Sequence, residues 1–164
     1  MIVLGIDPGI ATTGCAILED ERNRQKLLYA EAIKTAAGNS EANRLALIFD
    51  RLNTLIEKYK PAESVLENLF FNTNAKTAMI VGQARGIIQL ALQKHHINIT
   101  EYTPLQVKIA ITGYGRADKN QIQQMVKNIL KLPEILSPDD VADAAAIALT
   151  HCFSYKMSEN IKSL

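Results

Sequence analysis

The sequence predicts one α/β domain, a mixed sheet of about five strands flanked by helices, with the first three strands antiparallel. Three observations predict it. Strand-like segments follow one another at the N-terminus; after them, helix-spaced and strand-like segments alternate; and turn residues or charged runs punctuate the series. Consecutive strands pair antiparallel through short turns, whereas parallel neighbours need a long crossover of the kind the later helices supply.

Residues 2–6, Ile-Val-Leu-Gly-Ile, form an apolar run that stops at Asp7-Pro8-Gly9, the pattern of a buried strand ended by a turn. Residues 13–18 and 27–35 are strand-like, with a charged turn from Glu19 to Arg24 between them. Leu45, Ile48, Leu52, Leu55 and Ile56 recur at helical spacing within 40–58, capped by Asn39 or Ser40 and closed by Lys60-Pro61. A strand is expected at 64–71, a long helix at 74–95 and a short strand at 97–102. Helices follow at 104–112, 119–132 and 138–153, and residues 113–118 read as an exposed mobile loop. The domain is expected to occupy residues 1–156, leaving a short polar tail at 157–164.

At 164 residues, 48% hydrophobic and 21% charged, the chain is ordinary for a soluble enzyme and long enough for one substantial core. The net charge of +1 supplies no globally positive field, so a nucleic-acid partner would require clustered cations. Cys15 and Cys152 have neither CxxC spacing nor a histidine pair beside them and read as small core residues. No apolar run approaches the roughly 20 residues of a membrane span. The N-terminus begins on a strand without a basic leader, and a reducing cytoplasm is the expected setting.

The chemistry-bearing residues are acids in apolar surroundings. Asp7 ends the first strand, where an ordinary turn-starting aspartate is the competing reading. Glu67 lies in Val65-Leu66-Glu67-Asn68-Leu69-Phe70-Phe71, where alternation puts it on the face of Val65, Leu69 and Phe71. A carboxylate there is costly without a compensating cation, unless the strand end reaches water. Ser137-Pro138 reads as N-cap and first helical residue, and that cap accounts for Asp139 and Asp140 at a positive helix end. It accounts less well for Asp143, which leads into Ala144-Ala145-Ala146-Ile147-Ala148-Leu149 and shares a face with Asp140. Two unit charges about 5 Å apart repel by roughly 3 kcal/mol at an effective dielectric near 20, so a cluster of four carboxylates requires protons or cations. Oxygen donors without cysteine or organised histidine favour Mg²⁺ or Mn²⁺ over zinc, and four carboxylates nearly neutralise two such ions.

Five segments together resemble the RuvC-type Holliday junction resolvases, members of the ribonuclease-H-like superfamily. They are Gly5-Ile6-Asp7-Pro8-Gly9 with Thr13-Gly14, Leu66-Glu67, Gly82-Gln83-Ala84-Arg85-Gly86, Tyr102 through Lys108, and Asp140-Val141-Ala142-Asp143-Ala144 through Thr150-His151-Cys152. The first alone is shared with many ribonuclease-H-like and actin-like proteins; the five in order, from about residue 2 to 153, are specific. The resemblance implies a ribonuclease-H-like fold with Asp7, Glu67, Asp140 and Asp143 as the catalytic, metal-holding tetrad. Asp139 competes with Asp140 by spacing, and the Asp-x-x-Asp-Ala pattern favours Asp140. It further implies two Mg²⁺ ions per site (Mn²⁺ as the alternative) and hydrolysis without a covalent enzyme intermediate, the ions activating water and stabilising the leaving 3′ oxygen. The implied substrate is a four-way DNA junction, nicked at symmetric points in homologous recombination and repair. A two-fold substrate implies a homodimer, working with branch-migration proteins of the RuvA and RuvB type.

Lys108, Arg116 and Lys119 are the candidate phosphate contacts, clustered about the glycine-flanked loop; solvated surface cations are the competing reading. Several relatives carry a second cation after Lys108, where this chain has Ile109. The resemblance assigns Phe70 to stacking on an unpaired base, against burial in the core, whereas Phe71 reads as a core residue. Asn74, like Asn72, precedes the long helix and suits either base edges or the helix's own amides. Ala78, Gly82 and Gly86 repeat every four residues, suiting a dimer interface or packing on the sheet, and His151 reads as a satisfied structural histidine. Two rivals remain. An actin-like phosphotransferase needs two lobes, more than 164 residues supply. A non-catalytic junction binder gains nothing from four clustered carboxylates.

Overall fold

The computed structural model describes residues 1–21, 24–68 and 75–162. In chain order the elements are β1 (Ile2–Asp7), β2 (Thr12–Glu21), β3 (Arg24–Lys34), α1 (Glu41–Tyr59), β4 (Glu63–Glu67), α2 (Ala75–Lys94), β5 (Asn98–Tyr102), α3 (Pro104–Thr112), α4 (Lys119–Leu130) and α5 (Asp139–Lys162). The five strands form one sheet in the order β3-β2-β1-β4-β5. β1 to β3 pair antiparallel, while β4 pairs parallel with β1 on one side and with β5 on the other. The mixed sheet is the one expected from consecutive strands followed by alternation.

Two apolar layers sandwich it, and strand parity decides which side chain enters which. Leu4, Ile6, Cys15, Ile17 and Leu66 join Ile48, Leu52, Ile88 and Leu92 of α1 and α2 on one face. Val3, Ala16, Leu18 and Val65 join the alanines of α5 and apolar residues of α3 and α4 on the other. Both cysteines are fully buried and not disulfide-bonded. No helix among the described residues is long and apolar enough to cross a membrane.

Caps set the helix ends much as the sequence indicates. The Ser40 hydroxyl accepts from Asn43 N–H, and Lys60 closes α1 in the left-handed region at φ 48°. Thr103 with Gln106, and Asp118 with Gln121, form reciprocal capping boxes at α3 and α4.

Four expectations need correction. β4 ends at Glu67, short of residue 71; residues 69–74, with Phe70, Phe71, Asn72 and Asn74, lie outside the described residues. Residues 113–118 are anchored rather than loose: Gly113 ends α3 at φ 73°, Tyr114 N–H donates to Thr112 Oγ1, Ala117 is buried and Asp118 caps α4. α5 starts at Asp139, so Pro138 stands ahead of the first turn and its carbonyl accepts from Val141 N–H at 3.0 Å. Finally, α5 runs to Lys162, well past residue 153. Residues 154–162 contain neither glycine nor proline, and each residue added to an existing helix gains a backbone hydrogen bond without a new nucleation cost.

Candidate active site

β1 and β4 are parallel neighbours whose register runs to the pair Ile6 and Leu66. Asp7 and Glu67, the next residue on each, therefore stand side by side at the carboxyl edge of the sheet. Parity sends both toward α5: Val3 and Val65 lie in the α5 layer, whereas Ile6 and Leu66 lie in the opposite one. The turn after Asp7 is fixed by Thr13 Oγ1, which donates to the Gly9 carbonyl at 2.6 Å.

Glycines bring the acids of α5 to meet them. Gly14 is the register partner of Asp7, and a Cβ on Gly14 would lie 1.9 Å from the Asp140 carbonyl oxygen. A Cβ on Gly5 would lie 2.1 Å from Ala144 O and 2.8 Å from Ala148 Cβ. The helix backbone thus rests directly on the strands, through glycine on one side and alanine on the other. Asp140, not Asp139, is the residue seated against Gly14.

The electrostatics follow from this crowding. Burial, then the charges of Glu67, Asp143 and Asp140, raise the Asp7 carboxyl to about 7, against a small opposing influence from Lys119. Glu67 is also raised, by burial and then by Asp143, with Lys119 and Arg85 opposing. Asp143 is raised by burial, against hydrogen bonding from Lys119.

Lys119, the first residue of α4, supplies the countercharge. Its Nζ lies 3.0 Å from Asp139 Oδ2 and 3.2 Å from Asp143 Oδ2. Burial works against that ammonium, but its hydrogen bonds to Asp139 and Asp143 hold it above the ordinary lysine range. The same contact, with Gln123 Nε2 donating at 3.1 Å, lowers Asp139. Asp139 is accordingly more than a solvated cap: it pulls Lys119 toward the acidic end. A cleft of about 200 Å³ is lined by Glu67, Lys119 and Asp143 together with Lys108. Arg116 is exposed, and neither Lys108 nor Arg116 forms an ion pair among the described residues. His151 is half satisfied: its Nδ1 is 3.2 Å from Tyr102 Oη, while Nε2 is buried without a hydrogen-bond partner among the described residues.

Among the described residues no three acidic, imidazole or thiol side chains are drawn together closely enough to chelate one ion as they stand. The donors nevertheless suit a hard divalent cation in kind and in charge. They are carboxylate oxygens, and three of them, on Asp7, Glu67 and Asp143, are pushed upward by burial and by neighbouring acids, a condition that a cation relieves. Asp143 is engaged by Lys119 in the arrangement seen here.

Sequence reasoning passed over the two strand glycines, although glycine inside a strand is itself a signal of close backbone approach. It also passed over Arg85 as a site residue. Arg85 Nη1 donates to the Glu67 carbonyl and Nη2 to Glu101 Oε1, pairings for which the sequence holds no local signal.

Carboxylates at the carboxyl ends of two parallel strands, answered by acids on the first turns of a helix seated on the sheet, are the arrangement that the resemblance to ribonuclease-H-like nucleases implies. The family model described as "Crossover junction endodeoxyribonuclease RuvC" matches residues 3–151, and the chain belongs to that family. The protein of that name from Alkaliphilus oremlandii is 49% identical over 162 residues, covering 99% of each chain. The one from Ruminiclostridium cellulolyticum is 50% identical over 157 residues, covering 96% of this chain and 95% of its own. The structure of Thermus thermophilus RuvC in complex with Holliday junction substrate matches with a TM-score of 0.92 at 34% identity, covering 96% of both chains. The yeast mitochondrial Holliday junction resolvase Ydc2 shares the fold, with a TM-score of 0.68 at 16% identity over 97% of this chain and 82% of that one.

Proposed function

We propose that this protein is a structure-selective endodeoxyribonuclease that resolves four-way DNA junctions by paired symmetric nicks, serving homologous recombination and DNA repair in the cytoplasm. The observation that carries the reading is that strand register sets Asp7 beside Glu67 at one sheet edge while α5 seats on Gly14 through Asp140, so that Asp7 feels the charges of Glu67, Asp143 and Asp140, in a chain of the RuvC family.

Asp7, Glu67, Asp140 and Asp143 are the residues that would hold two Mg²⁺ ions, or Mn²⁺ in their place. Bound there, such ions supply activation of the attacking water and stabilisation of the leaving 3′ oxygen. The chain's own part is to hold the four carboxylates at the edge, with Asp7 and Glu67 fixed by strand register and Asp140 and Asp143 by the seating of α5. Lys119 balances their charge from α4, close enough to both acids and cleft to meet an incoming phosphate. Lys108 lines the cleft, and neither it nor Arg116 is committed to an ion pair among the described residues, which leaves both open to phosphate. Phe70 and Asn74, outside the described residues, are proposed as further DNA contacts on the family resemblance.

A homodimer is part of the proposal. On α2, Gly82 and Gly86 are exposed with nothing within 4 Å of an added Cβ, and Met79 and Leu90 are 63% and 51% exposed. A small-residue stripe that faces away from its own sheet supports an isologous contact over internal packing. Branch-migration proteins of the RuvA and RuvB type are the proposed functional partners.

The test is to incubate the protein with four-way and linear duplex DNA, with Mg²⁺ or with EDTA. Symmetric nicks in the junction alone, and only with Mg²⁺, are expected. Equal cutting of both substrates rejects junction selectivity, and cutting in EDTA rejects the metal assignment.

A further inference from the structure

Glu67 is the last residue of β4, and one backbone bond continues the parallel pairing beyond it, from Asn68 N–H to the Tyr102 carbonyl at 2.8 Å. A carboxylate at a strand end has little to hold its backbone against fraying. Arg85 reaches that point from α2. One guanidinium nitrogen donates to the Glu67 main-chain carbonyl, and the other to the Glu101 carboxylate on β5. The Arg85 side chain is only 14% exposed, and both contacts occupy its fork, so it is poorly placed to bind DNA phosphate. Its charge also opposes the upward push that burial and Asp143 exert on the Glu67 carboxyl.

We propose that Arg85, oriented by Glu101, is a positioning residue that clamps the end of β4 and so fixes where the Glu67 carboxylate stands. The inference rests on the nuclease reading, since it assigns Arg85 a purpose through Glu67. A planar fork is needed because one rigid group must donate at once to a main-chain carbonyl on β4 and a carboxylate on β5. Lysine offers a single ammonium on a flexible stem and holds only part of the arrangement. Displacement of a reacting group by about 1 Å costs on the order of 100-fold in rate, so the clamp acts on catalysis without touching substrate.

The experiment compares full-length wild type, Arg85→Met, Arg85→Lys and Glu101→Gln. Three quantities are read: single-turnover junction cleavage against Mg²⁺ concentration, junction affinity in Ca²⁺, and hydrogen exchange of the β4 amides. For Arg85→Met the cleavage rate is expected to fall about 10- to 100-fold, with half-saturating Mg²⁺ raised several-fold. Junction affinity should stay within about 2-fold, and exchange at the Asn68 amide should rise about 10-fold while α5 is unchanged. Arg85→Lys should recover part of the loss, and Glu101→Gln should shift each quantity in the same direction by less. A folded Arg85→Met protein with unchanged Mg²⁺ dependence and unchanged β4 exchange overturns the clamp. Should that variant fail to fold, Glu101→Gln decides alone, and an unshifted Mg²⁺ midpoint overturns it. If wild type cuts no junction but β4 exchange still rises in the variants, the clamp stands and the nuclease reading falls.

Discussion

The two faces of the sheet are built differently. Beneath α1 and α2 the layer is made of large aliphatic side chains, with Leu4, Ile6, Ile17, Ile48, Leu52 and Leu92 all fully buried or nearly so. Beneath α5 the contact is glycine against alanine, Gly5 on Ala144 and Ala148 and Gly14 on the Asp140 backbone. Long side chains hold two elements apart on flexible torsions, and such a layer adapts to changes of volume at modest cost. Backbone resting on backbone leaves no such freedom. The four acids sit on the second kind of face, whereas α1 and α2 close the first with bulky side chains. Both faces bury a core, but only the second ties the placement of the acids to the approach of two backbones.

The largest effect expected is on the acids themselves. Asp7→Asn should lower junction cleavage by ~10³-fold or more while leaving junction binding intact. Cleavage close to the wild-type rate would remove Asp7 from the chemistry and with it the idea that the α5 face is a positioning surface.

Next comes the contrast between faces. Gly14→Ala puts a Cβ where the Asp140 carbonyl now lies, 1.9 Å away, so the start of α5 must shift. The cleavage rate per folded molecule should fall by about 100-fold. Leu52→Ala on the opposite face should cost about 2–5 kcal/mol of stability in a denaturant titration, yet leave that rate within about 2-fold. Comparable rate losses in both variants would erase the distinction.

The same crowding predicts a pH dependence. Burial and three neighbouring acids raise folded Asp7 to about 7, against 3.8 for a free side chain. Between those values the native chain holds a proton that the unfolded chain releases. Its contribution is therefore fully present below the lower value and is lost as pH rises through about 7. Without divalent ions, wild type should lose up to about 4 kcal/mol relative to Asp7→Asn between pH 4 and 8, by thermal unfolding across that range. Parallel pH profiles for the two proteins would show that the charges at this edge are not crowded in solution.

The smallest effect concerns the cleft rim. Lys108→Ala should weaken junction binding in proportion across sequences and reduce the slope of log affinity against log salt by about 1. An unchanged slope means that Lys108 touches no phosphate.

Much of this was legible in the primary structure. Alternation put Glu67 on the same face as Val65, and the strand ending at Asp7 was marked by its proline-glycine turn. Those features are local, set by the two-residue strand period and by turn chemistry within a few positions. Less legible were features that depend on what stops a helix. Residues 154–162 are mostly polar yet remain helical, because polarity alone does not break a helix. Residues 113–118 carry two glycines yet are anchored, because the cap residues at either end and buried Ala117 tie them down. Lys119 was singled out as a cation, but its partners Asp139 and Asp143 lie on another helix, and nothing in its own neighbourhood names them.

The sequence by itself determined the order of elements and, by alternation, the face that Glu67 shares with Val65, since both are written in short-range periodicity; the four acids were singled out by their apolar surroundings together with the family resemblance. Only the tertiary structure decided that Asp140 rather than Asp139 rests against Gly14, that Lys119 answers Asp143, and that Arg85 grips the end of β4. Those are contacts between elements far apart in the chain. They are fixed by strand register and by how closely two backbones approach, quantities that no window of neighbouring residues contains.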